Sequence, residues 1–246
     1  MAVTAVLLAA GYATRLYPLT KDRPKALLPL GRGTILDEVL RAVQQAPQVG
    51  RVVLVTNRRF AEPFRRWQRS GGAAVEIIDD GTETAETRLG AIRDLELVRQ
   101  RLGAADDLLV VGTDNVFHWP VASFIEQAQR VQPDPSIALW QAPSPAAATQ
   151  FGVVIRDATS RITAFVEKSP QPPSTEVALC VYYFPAPMCG AMRRFLDTGG
   201  NADAPGYFIQ WLAGQGRVFG IMMPGAWYDI GSLEAYHAVQ RAWEAT

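Results

Sequence analysis

Short apolar or alternating runs, bounded by turn residues, recur at positions 3–8, 51–56, 74–78, 107–111, 136–140, 151–155, 162–166, 177–184 and 217–222. Their period and flanks predict β-strands. Between the early runs lie 35–45, 61–70, 85–101 and 121–131, where apolar positions recur at helical spacing. Further helices are predicted at 188–197, 207–215 and 233–245. Strand and helix alternate over the first half, the pattern of βαβ units on a parallel sheet. Beyond about residue 136 the strands crowd together around Gly152 and the proline-rich stretch 170–173. That predicts a mixed sheet whose antiparallel part covers a substrate. No repeat, low-complexity tract or long linker divides the chain, so one domain over 1–246 is expected.

Composition narrows this picture. A length of 246 residues with 48% hydrophobic content suits one large domain with a sizeable core. Net charge is zero, which gives no drive toward nucleic acid or an anionic membrane surface. No apolar run approaches the roughly 18 residues of a membrane helix. No basic region precedes the N-terminal apolar stretch, so no signal peptide is expected and a cytoplasmic location is. Cys180 and Cys189 lack metal-type spacing and read as two buried free thiols. Only three lysines, Lys21, Lys25 and Lys168, stand against 21 arginines. Lysine is a compact point charge and arginine a flat fork, so a lysine kept against such a bias is informative.

The first strand feeds directly into Leu8-Ala9-Ala10-Gly11-Tyr12-Ala13-Thr14-Arg15-Leu16-Tyr17-Pro18-Leu19-Thr20, followed by Pro24-Lys25-Ala26-Leu27-Leu28-Pro29. A strand entering a small-residue turn delivers backbone N–H groups to one point. With Arg15 and Lys25 they make a site for a polyanionic phosphate. The string resembles the signature of sugar-1-phosphate nucleotidyltransferases, the nucleotide-sugar pyrophosphorylases, roughly L-A-A-G-x-G-T-R-L-x-P-L-T-x-x-x-P-K-x-L-L-P. Ala13 stands where that family usually has a second glycine, and alanine restricts positive φ. The resemblance implies a three-layer α/β/α Rossmann-like fold with a mixed, mostly parallel central sheet. It places the nucleotide in about 1–135, the sugar phosphate in about 136–232 and a last helix after that. Only that helix is expected beyond Ser232, with no fused acyltransferase or β-helix domain.

Other motifs extend the resemblance over nearly the whole chain. Leu109-Val110-Val111-Gly112-Thr113-Asp114-Asn115 ends an apolar strand in an acid, at the sheet edge where ligands of open α/β sheets bind. It is similar to the family's G-D-N motif, with Thr113 inserted. Trp227-Tyr228-Asp229-Ile230-Gly231-Ser232 matches W-x-D-x-G-[TS], with Ser232 also suited to cap the last helix. The resemblance makes Asp114 and Asp229 ligands of Mg²⁺. Ile162-Thr163-Ala164-Phe165-Val166-Glu167-Lys168 is similar to V-x-x-[FI]-x-E-K, where the Glu takes sugar hydroxyls and the Lys the sugar phosphate. Phe151-Gly152-Val153-Val154 is similar to [YF]-G-V-V, its glycine allowing close approach of a sugar. Asp203-Ala204-Pro205-Gly206-Tyr207 looks like a further element near the sugar, with Tyr207 as a candidate contact and Asp203 as a candidate helix cap.

Two stretches depart from the family. Thr84-Ala85-Glu86-Thr87-Arg88-Leu89-Gly90-Ala91-Ile92 replaces the usual base-side motifs, so the base stays open; Gly90 and Arg88 are expected at the base or triphosphate. Ala178-Leu179-Cys180-Val181-Tyr182 stands where N-x-G-[IV]-Y is usual. A lost amide and a crowded backbone there imply altered sugar recognition: an acceptor less hydroxylated than glucose or of unusual shape, such as a deoxy sugar or a cyclitol phosphate.

The implied reaction joins a nucleoside triphosphate and a sugar 1-phosphate into a nucleotide-sugar and pyrophosphate. Leu8, Ala10, Gly11, Tyr12, Ala13 and Thr14 would cradle the nucleotide. Arg15 would face the leaving pyrophosphate, Lys25 the α-phosphate, and Glu167, Lys168, Gly152 and Tyr207 the sugar phosphate. Partners are small molecules, with neither nucleic acid nor membrane, and a homo-oligomer is compatible. The rivals are a cytidylyltransferase for phosphocholine or a phosphonate, a catalytically inactive nucleotide-sugar-binding subunit, and a glycosyltransferase. Glu167-Lys168 argues against the first and the intact charged positions against the second. The third would want an Asp-x-Asp, which Asp114-Asn115-Val116 is not.

Overall fold

The computed structural model describes residues 2–71, 74–103 and 106–244. In chain order, β1 (Val3–Leu8) enters the motif loop, which holds short 3-10 turns at Thr14–Leu16 and Lys25–Leu27. A ribbon of β2 (Pro29–Leu30) and β3 (Gly33–Thr34) leads into α1 (Ile35–Gln44). Then come β4 (Val49–Thr56), α2 (Arg58–Arg69), β5 (Glu76–Asp79), a 3-10 turn at Ala85–Thr87, and α3 (Ala91–Leu102). They are followed by β6 (Asp107–Gly112), β7 (Asn115–Phe117), α4 (Val121–Gln129) and β8 (Ser136–Gln141). The second half runs α5 (Pro145–Ala148), β9 (Gly152–Arg156), β10 (Ile162–Glu167), β11 (Glu176–Phe184), α6 (Ala186–Asp197) and α7 (Pro205–Ala213). It ends with β12 (Phe219–Met222), β13 (Trp227–Asp229) and α8 (Leu233–Glu244).

The main sheet is ordered β10-β9-β11-β6-β1-β4-β5, with β8 on β11 and β12 on β8. β1 lies between β4 and β6, parallel to both, and Leu8 pairs with Val55 and Gly112. The carboxyl ends of these strands therefore open at one edge, where the motif loop starts. β11 runs antiparallel to β6, and β9 and β10 continue antiparallel beyond it. The mixed sheet, with its parallel half first, follows the expectation from the strand spacing.

Alternating side chains of the buried strands feed two cores. Val3, Ala5 and Leu7 pack with Leu36, Val43, Phe64 and Phe124 from α1, α2 and α4. Val6 packs on the other face with Ile92, Leu95, Met192 and Phe208 from α3, α6 and α7. These are the three layers. A third cluster of Leu16, Leu30, Ile35, Val116, Ile230 and Tyr236 ties the motif loop to α8. Thr34 closes a capping box with Asp37 at the start of α1, which fixes where that helix begins.

The structure corrects several expected bounds. The helix expected over 85–101 is split: a 3-10 turn ends at Thr87 and α3 starts at Ala91. Gly90 separates them at φ +88, and an added Cβ would meet the Ala202 carbonyl oxygen at 2.5 Å. α2 begins at Arg58 rather than 61, because Asn57 Oδ1 accepts from the Phe60 N–H at 3.0 Å. β7 and β13 had too little periodicity to be expected, each being three residues long. Asp203 is not the cap of α7, whose cap position is Ala204. Ser232 does cap α8, accepting from the Ala235 N–H at 3.1 Å. The Cys189 side chain and Ala245 lie outside the described residues.

Candidate active site

The motif loop leaves β1 with its carbonyls tied down. Asn57 Nδ2 donates to the Ala10 carbonyl at 2.9 Å and Thr20 Oγ1 to the Ala13 carbonyl at 2.8 Å. Thr56 Oγ1 lies 3.4 Å from the Ala9 carbonyl. Among the described residues, the N–H groups of Ala10, Gly11, Tyr12, Ala13 and Thr14 donate to no protein acceptor. A loop with anchored carbonyls and free N–H groups is an anion cradle. Ala13 sits at φ 48, ψ 42, the left-handed conformation a glycine would take without strain. The loop thus keeps the shape that the usual second glycine would give it, at a cost of about 1–2 kcal/mol.

Asp114 and Asp229 meet across the two-stranded ribbon of β7 and β13, in which Asn115 pairs with Asp229. The Ile230 N–H donates to the Asp114 carbonyl at 3.0 Å. Lys25 Nζ lies 2.7 Å from Asp114 Oδ2 and donates to the Ile230 carbonyl at 3.0 Å. Asn115 Nδ2 donates to Asp114 Oδ1 at 2.8 Å, and Trp227 Nε1 donates to Asn115 Oδ1 at 2.8 Å. Burial pushes the Asp114 carboxyl up, but Lys25 and these hydrogen bonds hold it below the usual range. Burial, and then the neighbouring Asp114, push Asp229 up to about 6. Arg15 is exposed at the rim with no ion-pair partner among the described residues.

A cleft of about 620 Å³ joins these groups. Its first wing is Tyr12, Asp80, Ala85, Arg88, Gly90 and Asp94; its second is Gly152, Phe165, Glu167, Lys168, Cys180 and Tyr182. The phosphate loop, Lys25, Asp114 and Asp229 line the same cleft. Of the residues singled out from sequence, all but Tyr207 line the cleft. Tyr207 is 38% exposed in the first turn of α7; its neighbour Gly206 forms the wall instead. Arg88 lines the first wing but is engaged, with Nε 2.6 Å from Asp203 Oδ1 and Nη1 2.8 Å from the Ala85 carbonyl.

The second wing is built for close approach. A Cβ on Gly152 would meet Phe165 Cζ at 2.6 Å and Glu167 Oε2 at 2.9 Å. Lys168 adopts φ 46, a strained value for a non-glycine residue, while its N–H donates to the Phe151 carbonyl at 3.2 Å. Its Nζ lies 3.5 Å from Glu167 Oε1. Ala178 and Cys180, the positions that depart from the family pattern, both face the cleft. Cys180 is a half-buried free thiol rather than the fully buried one expected. Burial pushes it up to about 12, so it is no nucleophile at neutral pH.

The sequence reading assigned no role to Thr20, although it ends the quoted motif, and missed Thr56 and Asn57, which with Thr20 anchor the loop, and the acids Asp80 and Asp94. Thr56 and Asn57 act on backbone, and no local pattern signals that role. Asp94 carried a weak signal, an acid between Ile92 and Leu95 on the inner face of α3. Among the described residues no three His, Cys, Asp or Glu side chains converge on one point. Two carboxylates suffice for Mg²⁺, which typically takes one or two carboxylates with the rest of its shell from substrate phosphates and water. Asp114 and Asp229 beside the anion loop fit that donor set. No described helix is long and apolar enough to cross a membrane.

The chain is similar to curated proteins along almost its whole length. A glucose-1-phosphate adenylyltransferase of Mycolicibacterium vanbaalenii is 27% identical, over 96% of this chain and 65% of its own. Mannose-1-phosphate guanylyltransferase 1 of Arabidopsis thaliana is 25% identical, over 94% of this chain and 62% of its own. The chain thus spans less than two thirds of each relative. A crystal structure assigned as a glucose-1-phosphate thymidylyltransferase from Bacillus anthracis, with a sucrose, superposes with a TM-score of 0.78 at 20% identity. It covers 100% of this chain and 96% of its own, which shows the shared fold. The family model for nucleotidyl transferases matches residues 4–246. The chain belongs to the nucleotidyl transferase family, that of the sugar-1-phosphate nucleotidyltransferases its motifs resemble.

Proposed function

We infer that the protein transfers a nucleoside monophosphate from a nucleoside triphosphate to a sugar 1-phosphate or a sugar-like cyclitol 1-phosphate, releasing pyrophosphate. The observation that carries this reading is the single cleft in which a free-amide loop, Lys25 with Asp114, and Glu167 with Lys168 converge. The curated relatives named above are of this reaction class.

The chemistry needs no protein nucleophile. A sugar phosphate is ionised at pH 7, so its oxygen attacks the α-phosphorus without a general base. Rate comes from positioning and charge neutralisation. The free N–H groups of Ala10 to Thr14 bind phosphate oxygens, and Arg15 meets the leaving pyrophosphate. Lys25 neutralises the α-phosphate, shifting from Asp114 toward substrate. Lys168 grips the acceptor phosphate and Glu167 orients the sugar through its hydroxyls. Asp114 and Asp229 would hold Mg²⁺, which when bound supplies charge neutralisation for the phosphate oxygens. The apolar Ala178 and Cys180 favour an acceptor less hydroxylated than glucose or of unusual shape.

The test is pyrophosphate release, crossing five nucleoside triphosphates with a panel of sugar and cyclitol 1-phosphates in the presence of Mg²⁺. Release that requires both substrates supports the reading, and the best acceptor names the sugar. Release without an acceptor, or none with any pair, contradicts it.

A further inference from the structure

Gly206 stands in the first turn of α7 and lines the cleft. Its φ is not positive, so its conformation does not call for glycine. In a helix glycine is destabilising relative to alanine. The reason to keep it lies in what a side chain there would strike. A Cβ at position 206 would meet Glu167 Oε2 and Phe165 Cζ, each at 3.2 Å. The same two atoms are approached by a second glycine: a Cβ on Gly152 would lie 2.9 Å from Glu167 Oε2 and 2.6 Å from Phe165 Cζ. Backbones of two elements, β9 and α7, thus converge on one carboxylate oxygen and one ring edge. Among the described residues no hydrogen bond fixes the Glu167 side chain; Lys168 Nζ, 3.5 Å from Oε1, is its ion-pair partner. Packing against the two glycines therefore sets where the carboxylate stands, and its lone pairs stay open to hydroxyl donors. The start of α7 is itself held to the first wing. The Ile92 N–H donates to the Ala202 carbonyl at 3.0 Å and the Ala91 N–H to that of Asp203 at 3.4 Å. Arg88 Nε lies 2.6 Å from Asp203 Oδ1.

We propose that Gly206 is a positioning residue of the acceptor site: with Gly152 it holds the Glu167 carboxylate where it takes acceptor hydroxyls, and the Arg88–Asp203 pair serves the same end by anchoring the start of α7. The inference rests on the nucleotidyl-transfer reading. A methyl at 206 would displace the carboxylate, because the backbone of Gly152 already crowds that oxygen and α7 is tied in place. The atoms closest to such a methyl belong to Glu167 and Phe165, and none to the phosphate loop, Lys25 or Asp114. The effect therefore falls on the acceptor and spares the triphosphate. Arg88 stands on the first wing, yet through Asp203 it acts on the second.

The experiment is steady-state pyrophosphate release by Gly206→Ala, checked for a native circular dichroism spectrum, with Mg²⁺ and the triphosphate wild type uses best. The acceptor is whichever wild type uses best among glucose 1-phosphate, a 6-deoxyhexose 1-phosphate and a cyclitol 1-phosphate. Its KM is expected to rise about tenfold or more, with the KM for the triphosphate within about twofold of wild type. A smaller rise, or one shared equally by the triphosphate as general disturbance of the fold would give, overturns the proposal. Asp203→Ala, a change at an exposed position, decides the matter where Gly206→Ala does not fold. It should raise the acceptor KM about threefold or more and leave that of the triphosphate unchanged. A smaller effect, or one on the triphosphate instead, overturns the proposal. Wild type that releases pyrophosphate with no pair of substrates overturns the nucleotidyl-transfer reading and this inference with it, whereas the variant results overturn this inference alone.

Discussion

Lys25 Nζ sits 2.7 Å from Asp114 Oδ2, joining two residues 89 positions apart in sequence. In the proposed reaction this contact joins the lysine assigned to the α-phosphate to an acid assigned to Mg²⁺. Replacing Lys25 by Met or Asp114 by Asn should lower turnover by about 100-fold or more, since each removes charge aligned with the reacting phosphates. Loss of Lys25 also leaves Asp114 unpaired beside Asp229, so some stability should go with it. Steady-state rates together with circular dichroism separate the two effects: a folded variant with near-normal turnover would remove these roles.

Gly152→Ala tests the acceptor wing. The new methyl would strike Phe165 and Glu167 Oε2, displacing the carboxylate assigned to the sugar. The expected signature is a rise of about tenfold or more in the KM for the sugar phosphate, with the KM for the triphosphate little changed. Equal rises in both would move Gly152 out of the acceptor site.

Gly90→Ala tests the junction that splits the expected helix. At φ +88, with the Ala202 carbonyl 2.5 Å from the new Cβ, alanine is both strained and crowded. A cost of about 1–3 kcal/mol follows from the backbone conformation alone. For a chain of this size each kcal/mol lowers Tm by roughly 2–4 °C. An unchanged Tm would show that this loop does not bear on stability.

How much of this was legible in sequence depends on the range of the interactions. The loop from Leu8 to Thr14, Lys25, Asp114, Glu167 and Lys168 stood in local strings, and the structure brings them to one cleft. The strands of the parallel half were legible because they are buried on both faces and read as apolar runs. The ribbon of β7 and β13 was not, because its partners are more than a hundred residues apart and each strand is too short to show a period. The helix start at Arg58 lies three residues before the expected 61, and the capping residue Asn57 was the usable signal. Asp80 and Asp94 became a pair only through folding, which sets β5 beside α3.

Asp94 also makes a prediction for pH. Its folded value, about 8, lies above the ordinary value near 4, because of burial and then Asp80. The folded chain therefore binds more protons than the unfolded chain between these values. This contribution to stability is complete below about pH 4 and is lost as pH rises through about 8. The charged neighbour of Asp94 is Asp80, which has Asp79 and the Tyr12 hydroxyl, itself pushed up by burial, on its own side. Asp94→Asn, which cannot ionise, should flatten the decline in stability between pH 5 and 9, an effect on the order of a few kcal/mol. Denaturant melts at stepped pH would show it; parallel curves for the two proteins would mean that Asp94 is ionised throughout.

The most direct test of the central claim follows one phosphorus atom. A nucleoside triphosphate labelled with ³²P at the α-position, incubated with Mg²⁺ and an accepted sugar 1-phosphate, should yield labelled nucleotide-sugar and unlabelled pyrophosphate, in equal amounts and only when acceptor is present. Label recovered as free nucleoside monophosphate, or no dependence on acceptor, would contradict nucleotidyl transfer at this cleft.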